Sequence, residues 1–207
     1  MKKWIAPAVF SFTGLVVSLF VYAQLPENMA IHFGPGGNPD NFVSRPVGAF
    51  AMPVLIWVMS LLTVISARFR LDETRRRRAE SMQQPFLAIL GAFLLGVHLF
   101  TISYNLGYEI NPVKFASVAV GILFLLLGNL APRMAQAGTM RTWPKLRGQA
   151  EKEYGRLQGR LMMGTGFVLI ILALLPDRIH ALAFFALLFL YAALTFVFAL
   201  RLSGRTE

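Results

Sequence analysis

Three polar residues in one short segment carry side chains of the types that can bind a metal ion. Glu27, His32 and Asp40 lie between two long apolar stretches of the 207-residue chain. Imidazole and carboxylate groups suit zinc and similar divalent ions, and a zinc-bound water is a nucleophile near pH 7. Further candidates that the predicted topology places toward the same side are His180, Glu109, Asp177 and His98. One hypothesis is therefore a metal-dependent hydrolase or a metal-gated binder with zinc as its cofactor.

The same residues have a second interpretation, in which His32 and Asp40 organise a loop by capping turns and hydrogen-bonding backbone amides. The sequence has no HExxH motif and no Cys, which excludes a thiolate ligand or a thiol nucleophile. Residues 34–39 are rich in Gly and Pro, which favour tight turns, and residues 29–33 have the composition of a strand. We expect an extended stretch followed by tight turns.

The composition of the chain predicts an integral membrane protein in which this loop connects two spans. Hydrophobic residues make up 56% of the chain and charged residues 14%, whereas a typical soluble domain has about 25% charged residues. A spanning helix needs about 20 mostly apolar residues. The segments that meet or approach this length are Ile5–Gln24, Pro46–Ala67, Pro85–Leu106, Phe115–Pro132, Leu161–Pro176 and Ile179–Leu200. We predict an all-α, polytopic bundle of about six transmembrane helices, in which the short fifth segment is either a span or a re-entrant or interfacial segment.

Basic residues set the orientation of this bundle. Of the 20 Lys and Arg residues, all except Arg45, Lys114 and Arg178 fall on one side of the predicted spans. Because cytoplasmic loops of membrane proteins are rich in Lys and Arg, both termini should be cytoplasmic, in the inner membrane of a bacterium. The start of the chain also fits a signal peptide, but its long apolar run favours an uncleaved first helix.

Charged groups are missing from the middle of the predicted spans. This argues against a pump or transporter with a carboxylate at the midplane, and the halves of the chain show no paired broken helices. His98 is the candidate titratable group inside a span. We expect it to hydrogen-bond to a neighbouring helix, and we regard Asn105 as a second polar group available for such contacts.

The cytoplasmic side carries two basic segments. The run Arg75–Arg78 predicts contact with anionic lipid, at about 1 kcal/mol for each Lys or Arg. Direct nucleic-acid binding is disfavoured because no aromatic platform is interleaved with this run. The segment from Arg133 to Leu157 contains Trp143 and Tyr154, which suit the headgroup region. It is either an interfacial linker, which the physics favours, or a docking surface for a cytoplasmic partner.

The first loop also resembles a known family. The succession Leu25-Pro26, Ile31-His32-Phe33 and Gly37-Asn38-Pro39-Asp40, followed by Pro53, resembles the N-terminal domain of unknown function of SdpI-like bacterial membrane proteins. This resemblance covers about a third of the chain. It implies an N-terminal two-helix domain over residues 1–67, with the loop on the external side.

The second part of the chain, residues 68–207, resembles the four-helix SdpI region of the same family. Gly128-Asn129 and Pro132 match a Gly-Asn-x-x-Pro signature, and 141–144 reads Arg-Thr-Trp-Pro where the family has Arg-Thr-Pro-Trp. The stretch 156–160 is similar to the family's lead into its fifth helix. Tyr154-Gly155 stands where the family has Thr-His, so a role of that histidine does not transfer to this chain.

The resemblance implies a function. Founding members of the family protect a bacterium against a secreted membrane-active peptide toxin and tether a transcriptional repressor at the membrane. By this resemblance the chain is a non-enzymatic immunity or sensing protein rather than an enzyme. The implied toxin-binding loop consists of Leu25, Pro26, Glu27, His32, Phe33, Gly37, Pro39 and Asp40. The implied surface for a cytoplasmic repressor consists of Asn129, Pro132, Arg141, Thr142, Trp143 and Pro144.

Overall fold

The described residues form a bundle of six helices with one β-hairpin at the end that the charge pattern predicts to be external. The computed structural model describes residues 4–68, 73–138, 140 and 142–204, and for residues 67, 68, 75, 177 and 178 it describes the backbone alone. The elements are α1 Ile5–Val21, β1 Asn28–Phe33, β2 Pro39–Ser44, α2 Arg45–Arg68, α3 Glu73–Asn105, α4 Pro112–Gln136, α5 Gly148–Leu172 and α6 Asp177–Ser203. A 3₁₀ turn, Tyr22–Gln24, follows α1. The predicted helical membrane fold is confirmed.

Five of these helices are long and apolar enough to cross a membrane, and among the described helices α5 is the exception. Its N-terminal half, residues 148–160, is polar and charged. It is nevertheless one continuous helix that packs along α4. The position of α5 therefore follows from its contacts with α4 and not from its hydropathy.

Two helices begin earlier than the apolar segments predicted. The α3 helix begins at Glu73, twelve residues before Pro85, and α5 begins at Gly148 instead of Leu161. The Arg75–Arg78 run therefore lies on a helix and not in a loop. Glu73 accepts hydrogen bonds from Arg76 and Arg77, three and four residues further on. Such pairs stabilise a helix beyond the bilayer, where an apolar window cannot detect it.

The first three helices pack on one another around a polar contact between α1 and α2. Pro53 in α2 has no N–H group, so it leaves the carbonyl of Ala49 without its helical partner. The hydroxyl of Ser18 in α1 donates to this carbonyl at 2.6 Å. Ser11 donates in the same way to the carbonyl of Pro53, at 2.9 Å. Two serines of α1 thus bind the backbone of α2 on either side of the proline-induced gap.

His98 of α3 completes this three-helix contact. Its ring is fully buried, and Nε2 lies 2.9 Å from the Ser18 hydroxyl and 3.2 Å from the carbonyl oxygen of Gly14. Since the Ser18 proton goes to Ala49, the His98 Nε2–H donates to Ser18. The predicted hydrogen bond between His98 and a neighbouring helix is confirmed.

The α4 and α5 helices pack through glycines. Gly121 faces Gly166 and Gly128 faces Gly159, so closely that a Cβ atom at Gly159 would lie 2.6 Å from the Gly128 carbonyl oxygen. That carbonyl lacks a helical partner because Pro132 has no N–H. Small residues permit such close backbone approach in membrane proteins. Part of the Gly-Asn-x-x-Pro signature therefore acts in helix packing.

Candidate functional site

The external loop is a β-hairpin. Strands β1 and β2 are antiparallel, with Asn28 opposite Ser44 and Phe33 opposite Pro39, and the pairing is irregular around His32. The turn is closed by a hydrogen bond from Gly34 N to Asn38 O at 2.9 Å, and Gly37 adopts a φ of +79° that glycine tolerates. The predicted extended stretch and tight turns are confirmed, and the sequence interpretation missed the second strand.

The hairpin is fixed to the helices by one asparagine side chain. Asn105, at the end of α3, accepts from Ala30 N at 2.8 Å and donates to Ala30 O at 2.9 Å. Its amide thus takes the place of a neighbouring strand on the free edge of β1. Met29, fully buried beside Leu25 and Ala49, anchors the same strand. The hairpin is therefore a rigid part of the bundle.

Aromatic rings connect the hairpin to α3 and α4. The ring of Phe33 packs edge-on against Tyr104 and Phe100, with centroids 4.6 and 5.5 Å apart. Phe100 in turn stacks on Phe115 of α4 at 4.2 Å. The turn of the hairpin lies beside the start of α4, which Asn111 caps by accepting from two backbone N–H groups. This aromatic contact links the first three helices to α4.

Beneath the hairpin lies an apolar cleft of about 480 Å³. Its walls come from α3, α4 and α6, and β1 with its turn forms the roof. A second groove of about 220 Å³ shares Phe93, Phe115 and Ala119 with it and continues between α3 and α4 as far as Leu126. The two adjoin, and together they form an apolar groove along α3 and α4 that begins at the hairpin.

His32 and Asp40 form a hydrogen-bonded pair at this cleft. His32 Nδ1 lies 2.5 Å from Asp40 Oδ1, and both side chains are at least half exposed. Asp40 also lies against the turn, since a Cβ atom on Gly34 would be 3.3 Å from its second carboxylate oxygen. The polar pair thus marks one edge of an otherwise apolar site.

Among the side chains that the structure describes, the candidate metal ligands do not come together; the side chain of Asp177 lies outside that description. Within the described residues, no group of three or more His, Cys, Asp or Glu side chains is placed to hold a metal ion. His32 meets Asp40, but Glu27 and His180 do not join them. His180 is buried, and its Nε2 lies 3.0 Å from the Ser117 hydroxyl of α4. His32 and Asp40 alone provide two of the three or four ligands that a zinc site needs.

Most of the remaining residues of the predicted loop support or shape the hairpin. Leu25 is buried in the core beneath the hairpin. Pro26 and Glu27 offer backbone carbonyls to Arg45, whose guanidinium lies over the Tyr22 ring. Phe33 lines the cleft, whereas Gly37 shapes the turn and Pro39 begins β2. The cleft-facing members of the set are therefore His32, Phe33 and Asp40.

The predicted cytoplasmic residues occupy two separate places. Asn129 and Pro132 lie on α4, where Pro132 packs against the α5 glycine Gly159. Thr142 accepts from Leu146 N at 2.9 Å and so shapes the linker before α5. Trp143 is 76% exposed and stacks on Phe196 of α6, and Pro144 follows it. Arg141 lies outside the described residues.

Several residues that build the cleft escaped the sequence interpretation. Phe100, Thr101 and Phe115 lie in predicted spans, where apolar composition gives no indication of a cavity. Asn105 stood out as a polar residue near the end of a span, but its partner outside its own helix is the β-strand β1 and not another helix. Its polarity was the available signal.

Comparison with known proteins shows what this chain is similar to. The family described as a domain of unknown function, DUF1648, matches residues 9–57. The immunity protein SdpI of Bacillus subtilis (strain 168) is 24% identical over 176 residues, which make up 84% of this chain and 82% of the relative. The chain is thus similar in sequence to SdpI over most of its length and to the DUF1648 family over its first two helices. No solved structure matches this SdpI-like chain.

The matched region of the SdpI-like chain contains the hairpin and the contacts that seat it. Residues 9–57 include Ser18 and Pro53, which join α1 to α2, and the His32–Asp40 pair. Asn105 and the α3 and α4 walls of the cleft lie outside it. With its helices and this relationship, the SdpI-like chain is a multi-pass bacterial membrane protein.

Proposed function

We propose that this chain is a membrane immunity protein and that it recognises a membrane-active peptide in the external cleft. The observation that carries the proposal is the hairpin roof over an apolar cleft, with the His32–Asp40 pair at its edge. The relationship to the immunity protein SdpI supports the same function. The hairpin is the part of the protein that a peptide arriving from outside meets first.

The chemistry of the cleft suits an amphipathic ligand. Its lining is mostly apolar and includes Phe93, Val97 and Phe184, whereas the polar pair is confined to the hairpin side. An amphipathic peptide buries its apolar face in a groove and keeps its polar face in water. The continuation toward Leu126 provides length for such a face. Binding there would remove the peptide from the surrounding lipid.

Filling the cleft tests this proposal without altering the hairpin. Ala119 lies on α4 and lines both the cleft and its continuation. Ala119→Phe should lower protection of a sensitive strain against membrane-active peptides by roughly tenfold or more, which corresponds to about 1.4 kcal/mol of binding. The matched control is Ala51→Phe on an exposed face of α2 outside the cleft.

The readout is the inhibitory concentration of each peptide in a panel of cationic and neutral membrane-active peptides. Protein levels are compared by immunoblot. Protection by the wild type and by Ala51→Phe, with loss in Ala119→Phe at equal protein level, supports the proposal. Unchanged sensitivity of cells that express the wild type, across the whole panel, contradicts it.

Tethering of a cytoplasmic repressor is proposed as a second function of the same chain. It is supported by Trp143, a large exposed indole at the cytoplasmic end, stacked in parallel on Phe196 at 5.8 Å. Exposed aromatic side chains are typical of protein interfaces. Trp143→Ala should abolish any transcriptional response to peptide while leaving protection intact. Equal responses in both proteins, measured by RNA sequencing after peptide exposure, would contradict tethering through this residue.

A further inference from the structure

A second cavity lies at the cytoplasmic end of the bundle. Its volume is about 780 Å³, and it is bounded by the beginning of α3, the end of α4, the α4–α5 linker and the beginning of α5. Ala135, Ala137 and Gly138 leave it open on the α4 side because their side chains are small or absent. Neither the external cleft nor the immunity function accounts for this cavity.

The wall of this cavity is strongly basic. Arg78, Lys145, Arg147 and Lys152 line it, together with one carboxylate, that of Glu151. None of the four cations forms an ion pair with any residue that the structure describes. Arg76 and Arg77 differ, because they hydrogen-bond the Glu73 carboxylate and lower its pKa to about 2. The cations at the cavity are thus available to a ligand.

The backbone adds to this positive potential. Arg147 precedes α5 with an extended backbone and no side-chain cap, and Gly148 adopts a φ of +59°. The N–H groups of the first turn of a helix have no partner within the helix and attract anions. Thr142 fixes the linker by accepting from Leu146 N, and Leu146 is buried against Ala150 and Leu202. The basic wall is therefore held in place by packed residues.

We propose that this cavity binds the phosphate of an anionic phospholipid headgroup from the cytoplasmic leaflet. The cavity lies where the apolar span of α4 ends, at Gln136, which is the depth of the headgroups. Its wall combines cations for a phosphate with apolar Met140 and Leu146 for the glycerol and upper acyl region. A soluble anion would use the cations but gain nothing from the apolar part.

The test measures binding of short-chain lipids to the detergent-purified full chain. Dioctanoyl-phosphatidylglycerol, dioctanoyl-phosphatidylcholine and inorganic phosphate are titrated, and the dissociation constant is read from the rise in thermal midpoint. We expect saturable binding of phosphatidylglycerol. The double variant Lys145→Gln/Arg147→Gln should raise its dissociation constant by roughly thirtyfold, from the contribution of two cations near a lipid surface.

The matched control is Arg160→Gln/Arg201→Gln. It removes the same charge from exposed cytoplasmic cations outside the cavity and should change the dissociation constant less than twofold. Glu151→Gln should tighten binding because it removes the one carboxylate from the wall. Lys152→Gln provides a second test on a different element.

Four results would overturn the assignment. Equal loss in both double variants would make the effect one of net charge, and equal binding of phosphatidylcholine would make it one of acyl chains. Inorganic phosphate that binds as tightly as phosphatidylglycerol would assign the cavity to a free anion. Absence of phosphatidylglycerol binding to the wild type would refute the site. Because protection against peptides is not measured, the inference stands or falls independently of the proposed function.

Discussion

Asn105 holds Ala30 by both of its backbone polar groups. The side-chain amide oxygen accepts from Ala30 N at 2.8 Å, and the amide nitrogen donates to Ala30 O at 2.9 Å and to Thr101 O at 2.8 Å. A single residue at the end of α3 therefore pairs with the backbone N–H and C=O groups of Ala30 on the edge of β1 that faces away from β2. This contact holds the roof of the external cleft in place.

Asn105→Ala should release the hairpin. The backbone groups of Ala30 lose their partner, and each buried polar group left unsatisfied costs about 1–3 kcal/mol. We expect faster amide hydrogen exchange in β1 and a lower thermal midpoint, measured by mass spectrometry and by unfolding in detergent. Asn41→Ala is the control, since the Asn41 side chain in β2 is exposed and hydrogen-bonds no described residue. Equal exchange in both variants would contradict the anchoring role.

Gly159→Ala should force α4 and α5 apart. The new Cβ atom would lie 2.6 Å from the Gly128 carbonyl oxygen and 3.1 Å from the Pro132 ring. Overpacking of this kind costs about 1–3 kcal/mol. Gly164→Ala on the same helix has no atom within 4 Å of its added Cβ and should be neutral or stabilising. Helical circular dichroism during thermal unfolding compares the two, and similar midpoints would refute the close glycine contact.

Ser18→Ala should destabilise the contact of α1 with α2 and α3. It leaves the buried Ala49 carbonyl without its partner, at about 1–3 kcal/mol, and it leaves the His98 Nε2–H only the longer contact with the Gly14 carbonyl oxygen, at 3.2 Å. Pro53→Ala restores a backbone N–H that reaches the Ala49 carbonyl within the helix. A double-mutant cycle on unfolding free energies should therefore show a smaller effect of Ser18→Ala in the Pro53→Ala background. An identical effect in both backgrounds would contradict the role of Ser18 at the proline gap.

The His32–Asp40 pair should matter for protection more than for stability. Exposed ion pairs contribute about 0–1 kcal/mol, so His32→Ala and Asp40→Ala should shift the thermal midpoint little while they abolish protection at normal protein levels. Glu109→Gln removes an exposed external carboxylate outside the cleft and serves as the control. Full protection by both alanine variants would separate the pair from recognition.

Removal of metal ions should leave protection unchanged. His32 and Asp40 provide two ligands, and no described third ligand of the usual types lies with them. Protection against peptides is measured in cells with and without EDTA, and elemental analysis of the purified protein gives its metal content. A stoichiometric metal that is lost in both His32→Ala and Asp40→Ala, together with loss of protection, would restore the metal hypothesis.

The sequence by itself determined the membrane architecture. Apolar runs indicate spans because the bilayer core excludes charge and demands internal hydrogen bonds. Gly34 and Pro39 marked the turn, because glycine widens and proline restricts the range of backbone angles. The same search for apolar runs placed the beginnings of α3 and α5 too late in the chain. In α3, pairs such as Glu73 with Arg76 extend the helix beyond the apolar run.

Only the tertiary structure decided which polar residues contact one another. The sequence shows His32 and Asp40 eight residues apart, but only the hairpin register brings Nδ1 and Oδ1 within 2.5 Å. Tertiary structure likewise decided that Asn105 binds Ala30 and that Ser18 donates to the carbonyl left unpaired by Pro53. It also decided that His180 contacts Ser117 and not the loop. Hydropathy and turn propensity act along the chain, whereas the last three contacts join residues 31 to 75 positions apart. They depend on how helices pack, and local sequence does not encode that packing.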